Sequence, residues 1–407
     1  RARPCQGRGR GFESRFSLTQ TQILLREDFV YWARMVELVD TQDLKSCGHC
    51  GRAGSIPAPG TTLSYFKMID LRSDTVTRPT PEMLDFMLRA QVGDDVFGED
   101  PSVNELQRFS ADLFGVEAAL FCPSGTMTNQ IAIKAQTQPG DELICEEGAH
   151  VHYYEGGGIA FNSAVSTKPI EGERGIFTAN QLKEALRPRN VHFPTTSLVV
   201  IENTCNRGGG KVFDFSEIQK IREVCDENGL KLHLDGARLF NAIIAEEKSA
   251  EDFGRVFDSI SICLSKGLGA PVGSLLLGNQ ALIAKAVRIR KVLGGGMRQA
   301  GFMAAAGLYA LENNVNRISQ DHAVARQLET ALKSVDFVVQ VLPVETNIVV
   351  FELIESANVA NFLNHLRENE ILAFEVGKQR IRFVTHLNLP ADTSRKVVAA
   401  LKNYSVS

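Results

Sequence analysis

No stretch of this 407-residue sequence reaches the roughly 18 to 20 consecutive apolar residues that a membrane-spanning helix needs, so no span and no membrane partner are expected. Charge of neither sign dominates. The 44 Lys and Arg against 48 Asp and Glu leave a formal charge of -4, which provides no electrostatic footprint for nucleic acid or an anionic lipid surface. Cysteine is scarce and scattered, its eight copies falling at 5, 47, 50, 122, 145, 205, 225 and 263. Several lie inside strand-like or helix-like segments, a pattern of reduced, partly buried thiols in a cytoplasmic setting rather than a disulfide framework. Internal repeats and low-complexity tracts are missing after Met68. What is there is ordinary for a globular protein: 44% hydrophobic and 23% charged residues, enough chain for one large or two ordinary domains.

Residues 1–67 differ from the rest. They open with Arg1, Arg3, Arg8, Arg10 and Arg15 among glycines and keep little apolar periodicity. Glu27, Asp28, Glu37, Asp40 and Asp43 argue against a transit peptide over the full stretch. Cys47 and Cys50 around His49 supply three ligands where structural zinc takes four, so no metal is expected. The segment Met35 to Thr62 reads like the translation of a transfer-RNA gene, and Met68 opens well-patterned sequence. The expectation is an extension that is disordered or spurious, with the protein proper starting at Met68.

From Met68 onward short apolar strands alternate with amphipathic helices, which predicts an α/β fold with a mostly parallel sheet flanked by helices. Strands are expected at 118–122, 142–145, 197–201, 230–234, 259–264 and 272–277. A helix is expected over 216–228, with Ser216 capping its start and Gly229 ending it. Beyond Gly294-Gly295-Gly296 the pattern changes to a long helix over 315–334 and then mixed strands and helices. This predicts a large domain over 68–314 and a smaller C-terminal α+β domain over 315–407.

Two charged residues at strand ends stand out, Asp235 in His233-Leu234-Asp235-Gly236-Ala237-Arg238 and Lys266 in Cys263-Leu264-Ser265-Lys266-Gly267. A lysine closing an apolar strand can be desolvated, which lowers its pKa and makes the amine nucleophilic enough for a Schiff base. An aspartate ending an earlier strand can hold a proton on a heterocyclic nitrogen, and the two together suit pyridoxal phosphate chemistry. In parallel sheets, ligands bind beyond the carboxyl ends of the strands, where both residues fall. Pro123-Ser124-Gly125-Thr126 lies between a strand and a helix, placed to cradle a phosphate on free N–H groups or simply to cap the helix. It lacks the lysine and spacing of a Walker loop. His150, in a strand-like segment with His152, can stack on a planar cofactor or lie at the surface. Two histidines at that spacing point to opposite faces of a strand and do not share a metal. Arg238 and Arg382 can offer a guanidinium fork to a carboxylate, Arg382 the more so because Ile381 and Phe383 flank it in an apolar strand.

Over some 330 residues in order, the chain resembles the L-threonine aldolases of low specificity, pyridoxal-phosphate lyases of fold type I. The matching segments include Asp70-Leu71-Arg72-Ser73-Asp74-Thr75, Gly93-Asp94-Asp95-Val96-Phe97-Gly98-Glu99-Asp100-Pro101, Ser124-Gly125-Thr126 and Ile201-Glu202-Asn203-Thr204. They continue with Asp235-Gly236-Ala237-Arg238, Leu264-Ser265-Lys266-Gly267, Gly294-Gly295-Gly296-Met297-Arg298-Gln299 and Arg382-Phe383-Val384-Thr385-His386. The resemblance implies pyridoxal 5'-phosphate as cofactor, bound to Lys266, with Asp235 on the pyridine nitrogen and His150 against the ring. It also implies Gly125 and Thr126 on the phosphate, joined by Arg298 lent from a neighbouring subunit. Ser73, Arg238 and Arg382 would take the substrate carboxylate, with Arg238 also near the cofactor, and His192 would lie near the substrate hydroxyl. The family often has histidine where this chain has Cys205, so no catalytic role is expected there.

The implied reaction is retro-aldol cleavage of L-threonine, L-allo-threonine or both into glycine and acetaldehyde, with His150, His192 or a water held by them as base. The alternative is β-elimination or transamination on the same cofactor, since fold does not fix function. A non-catalytic binding protein of this fold is disfavoured by the retention of both Lys266 and Asp235. The implied partners are a small amino acid and further copies of the chain, as a dimer of dimers.

Overall fold

The computed structural model describes residues 68–406. The expectations for residues 1–67, including the Cys47-His49-Cys50 knuckle, lie outside the described residues. Strands β1 (Ile69–Asp70), β2 (Ala118–Cys122), β3 (Glu142–Glu146), β4 (Ser166–Ile170), β5 (Thr196–Glu202), β6 (Lys231–Gly236), β7 (Ser259–Cys263) and β8 (Ser274–Gly278) precede the long helix Ile318–Leu332. After it come β9 (Val338–Val341), β10 (Ile348–Leu353), β11 (Ile371–Leu372), β12 (Phe374–Gly377) and β13 (Arg380–Val384).

Seven strands form the central sheet in the order β2-β8-β7-β6-β5-β3-β4, and only β8 runs against the others. The mostly parallel α/β architecture read from the sequence is therefore present. Strands β3, β7 and β8 are buried along their whole length, which is why they read as apolar runs rather than alternating ones. Helices cover the sheet. The helix Phe215–Asn228 buries Ile218, Ile221, Val224 and Cys225 and stops at Gly229, whose φ of +68° is the left-handed end that glycine adopts without strain. Its start corrects the expected cap. Asp214, not Ser216, accepts the N–H groups of Ser216 at 2.7 Å and Glu217 at 3.2 Å, because a carboxylate one residue before the helix reaches two free donors at once.

A second sheet, β12-β13-β10-β9, is antiparallel and packs with Ile318–Leu332 and the C-terminal helix Thr393–Lys402 around its own core of Leu328, Phe351, Phe362, Phe383 and Val397. Ile69 and Leu71 belong to that core rather than to the large one, since β1 pairs in parallel with β11. Among the described residues no helix is long and apolar enough to cross a membrane.

Candidate active site

The carboxyl ends of the parallel strands converge on one group of polar side chains. Glu202 ends β5 opposite Asp235 near the end of β6, and Lys266 follows β7 by three residues. Asp235 is 1% exposed. Its Oδ2 accepts from Asn129 Nδ2 at 2.9 Å, and its Oδ1 accepts from the Ala237 N–H at 3.2 Å. Asn129 lies on the helix Gly125–Gln136, and its Nδ2 also donates to Glu155 Oε1 at 2.9 Å. Glu155 Oε1 in turn lies 3.1 Å from His150 Nδ1.

His150 opens a short helix, His150–Tyr153, rather than lying in a strand as expected. Its backbone N–H donates to Glu202 Oε2 at 2.7 Å, and a helix start leaves such a donor free. Burial disfavours a charged imidazole here, but the hydrogen bond donated to Glu155 and the charge of Asp235 outweigh it and raise the His150 pKa above the ordinary histidine value. Glu202 is pushed up to about 7 by burial, reinforced by the neighbouring Asp235 charge. Oxygens of His150's partner Glu155 and of Asp235 lie within 4.8 Å of one another and of the imidazole, a spacing a metal could use. Both carboxylates, however, already accept hydrogens from Asn129, whose donors would face any cation placed between them.

On the other side of this group Arg238 and Asp74 form a buried ion pair, with Nε and Nη2 of the guanidinium each 2.7 Å from an Asp74 oxygen. Burial opposes ionisation of Asp74, yet Arg238 and then Lys266 outweigh it and hold the carboxyl at about 2. Arg238 therefore presents only Nη1 outward, 3.5 Å from Asn206 Oδ1. Arg382 Nη1 donates to the same Asn206 oxygen at 3.1 Å, while Arg382 Nε is buried with no partner. Burial lowers the Arg382 pKa, and the like charge of Arg238 lowers it further. Ser73 caps the short turn Asp74–Val76, next to this pair. Lys266 is fastened through its backbone, Thr77 Oγ1 donating to its carbonyl at 2.8 Å, and its charge is felt at both Asp74 and His150.

The helix Gly125–Gln136 starts beside this group. Ser124 caps it, accepting from the Met127 N–H at 3.2 Å. A Cβ on Gly125 would meet Cys263 Sγ at 2.5 Å, so only glycine lets this helix start approach the end of β7. Thr126 follows in the first turn, leaving backbone donors open to an anion. Gly295 packs on the same helix, since a Cβ there would meet Met127 Sδ at 2.3 Å. Arg298, just beyond, is exposed and pairs with Asp94 at 2.7 Å on its own chain.

Within one chain the structure brings together Lys266, Asp235, His150, Arg238, Arg382 and Ser73, with Gly125 and Thr126 at the adjoining helix start. His192 is not among them. It lies four residues before β5, off the end opposite Glu202 of a strand that spans roughly 20 Å. Cys205 is buried, its Sγ 3.3 Å from the Gly175 carbonyl and 3.2 Å from that of Glu202, and burial raises its thiol pKa well above the usual range. A cleft of about 520 Å³ opens beside it, lined by His152, Glu202, Asn206 and Arg207 among others.

Asp74, Asn129, Glu155 and Asn206 were not singled out from sequence. Asn129 had a local signal, a polar residue followed by another in the inward turn of a helix whose neighbours Ile131 and Ile133 are core. The others are joined to the site by partners as far as 164 and 176 residues away along the chain, which no local pattern encodes.

The sequence profile of the beta-eliminating lyase family matches residues 70–356. The low specificity L-threonine aldolase of Escherichia coli strain K12 is 41% identical over 333 residues, covering 82% of this chain and 98% of the relative. Low-specificity L-threonine aldolase 1 of Arabidopsis thaliana is 41% identical over 327 residues, 79% of this chain and 91% of its own length. Among solved structures, the threonine aldolase of Leishmania major superposes with a TM-score of 0.71 at 24% identity, covering 82% of this chain and 98% of that one, a likeness of fold. The matches run through the segments that build the strand-end group, and the chain belongs to the beta-eliminating lyase family, among its low-specificity L-threonine aldolases.

Proposed function

We propose that this protein is a pyridoxal 5'-phosphate-dependent aldolase that cleaves L-threonine, L-allo-threonine or both into glycine and acetaldehyde. The observation that carries the reading is a site of two unbalanced halves. One half holds Asp235, Glu155 and Glu202 against a single imidazole, and suits a ring that carries a positive charge. The other holds Arg238 and Arg382, with a buried guanidinium N–H lacking any partner, and suits a carboxylate. The capped helix start at Ser124 and Gly125 suits the phosphate.

When bound, the cofactor supplies a conjugated ring that takes up the electron pair left on Cα. Lys266 would hold the cofactor through its side-chain amine. Asp235 would hold a proton on the ring nitrogen, and His150 would pack against the ring. Arg382, aided by Ser73 and the outward Nη1 of Arg238, would grip the substrate carboxylate and so orient the bonds at Cα. The β-hydroxyl proton passes to His150 or to a water it holds, since within one chain His150 is the histidine at this group.

Arg298, exposed and carried on a glycine-rich loop, supports a site completed by a neighbouring copy, as a homodimer or a dimer of dimers. The core around the second sheet supports a small body over 315–407 beside a large one over 68–314, with Ile69 and Leu71 of the latter stretch packed into the small core. A cytoplasmic enzyme of threonine breakdown and glycine formation fits the five buried, unbridged cysteines among the described residues. Purified protein supplied with pyridoxal phosphate and L-threonine is expected to release glycine and acetaldehyde in equal amounts, and Lys266→Ala to lose both this activity and the visible absorption band. Pyruvate, ammonia or 2-oxobutyrate in their place would assign β-elimination or transamination instead.

A further inference from the structure

Beneath Asp235 the structure holds a chain of hydrogen bonds that all point one way. Gln136 Nε2 donates to Ser259 Oγ at 2.8 Å, and Ser259 Oγ lies 2.7 Å from His233 Nδ1. His233 Nε2 lies 3.1 Å from Asn129 Oδ1. Asn129 Nδ2 then donates to Asp235 and to Glu155, both at 2.9 Å. Each end restricts the rest. The two carboxylates accept only, so the Asn129 amide must turn its NH₂ toward them and its oxygen toward His233. An amide oxygen also only accepts, so His233 Nε2 must carry the ring's proton, and Nδ1 must take the hydroxyl hydrogen of Ser259. The imidazole is fully buried, and that burial holds its pKa down at about 4, more than Asp235 and Ser259 lift it. It is therefore neutral, with one proton and one tautomer that satisfies every partner.

We infer that Asn129 and His233 are positioning residues for the cofactor's ring nitrogen: the neutral Nε2–H tautomer of His233 fixes the Asn129 amide, which holds the Asp235 carboxylate in the orientation that faces the pyridine. The inference rests on the cofactor reading above and goes one shell deeper. The geometry gives the helix Gly125–Gln136 two tasks, offering its first N–H groups to the phosphate and, one turn later, Asn129 to the carboxylate. Losing the Asn129 donor leaves Asp235 with the Ala237 N–H as its remaining donor and frees it to rotate. Hydrogen bonds to ionised groups are strong enough that this should weaken pyridoxal phosphate binding by about tenfold or more.

Three measurements test it. In the apoenzyme, nitrogen NMR of labelled histidine should show His233 as a neutral ring protonated on Nε2 from pH 5.5 to 8.5; an Nδ1–H tautomer or a charged ring overturns the inference. In enzyme reconstituted with ¹⁵N-labelled pyridoxal phosphate, Asn129→Leu and His233→Leu should move the pyridine nitrogen signal toward the unprotonated position. His233→Gln, which still places an N–H near the Nε2 position, should restore it. A folded Asn129→Leu protein whose nitrogen signal and cofactor affinity match wild type also overturns it. Failure of the parent reading looks different, because wild-type protein would then form no visible band that depends on Lys266.

Discussion

Asp74→Asn tests the buried ion pair that anchors the carboxylate side of the site. Asp74 is fully buried, Arg238 nearly so, and two contacts of 2.7 Å join them. Holding the carboxyl at about 2 rather than 3.8 corresponds to about 2 kcal/mol of stability at neutral pH. The sign follows from a depressed acid: the contribution is complete above pH 3.8 and is lost as the pH falls toward 2. Substitution costs more than that, because Arg238 stays behind in the interior with the like charge of Arg382 beside it and no balancing carboxylate. Removing one partner of such a pair costs about 3–5 kcal/mol. Urea and thermal unfolding of apoenzyme and holoenzyme, at one fixed protein concentration, should both show this loss. Asp74→Leu combined with Arg238→Met removes both charges and should recover most of it in the apoenzyme, although not the activity. A loss below about 1 kcal/mol for Asp74→Asn, or a double variant no more stable than the single, would refute the reasoning.

Two further expectations concern charge in the site. Arg382→Lys replaces a fork by a point charge and should raise KM for L-threonine about tenfold or more with a smaller fall in kcat; equal falls in kcat and kcat/KM would assign Arg382 a different part in the reaction. Glu202, held at about 7 against an ordinary 4.5, binds its proton more tightly in the folded state, so stability should decline as pH rises between those values by up to about 3 kcal/mol. Glu202→Gln should flatten that decline relative to wild type in unfolding measurements at several pH values, and an unchanged slope counts against a strained Glu202.

The parallel sheet was legible because buried strands such as Ser259–Cys263 and Ser274–Gly278 are continuous apolar runs, bounded by glycine or charged residues. The strand-end residues Asp235 and Lys266 were legible for the same reason, as charges where an apolar run stops. What escaped is non-local or finely balanced. His150 reads as part of a strand by its neighbours, but its free N–H is taken by Glu202, 52 residues away, and this draws the segment into a helical turn. Asp214 and Ser216 are both good caps, and only the path of the chain decides between them. The second strand-end acid, Glu202, and Asp74, the partner of Arg238, appear in sequence as family segments without a task, because their roles come from partners brought in by the fold.

The short strand β1 has a mechanical meaning. Ile69 and Leu71 are knitted into the small core, the Leu71 carbonyl accepting from Val384 at 2.8 Å, whereas Thr77 is tied to the backbone of Lys266. Five residues separate those two moorings, and they include Ser73 and Asp74. Arg382 sits on β13, the strand that ends at Val384. Any rigid displacement of the small core must therefore carry Ser73 and Arg382 along as one grip, with Thr77 as the fulcrum that stays with the amine.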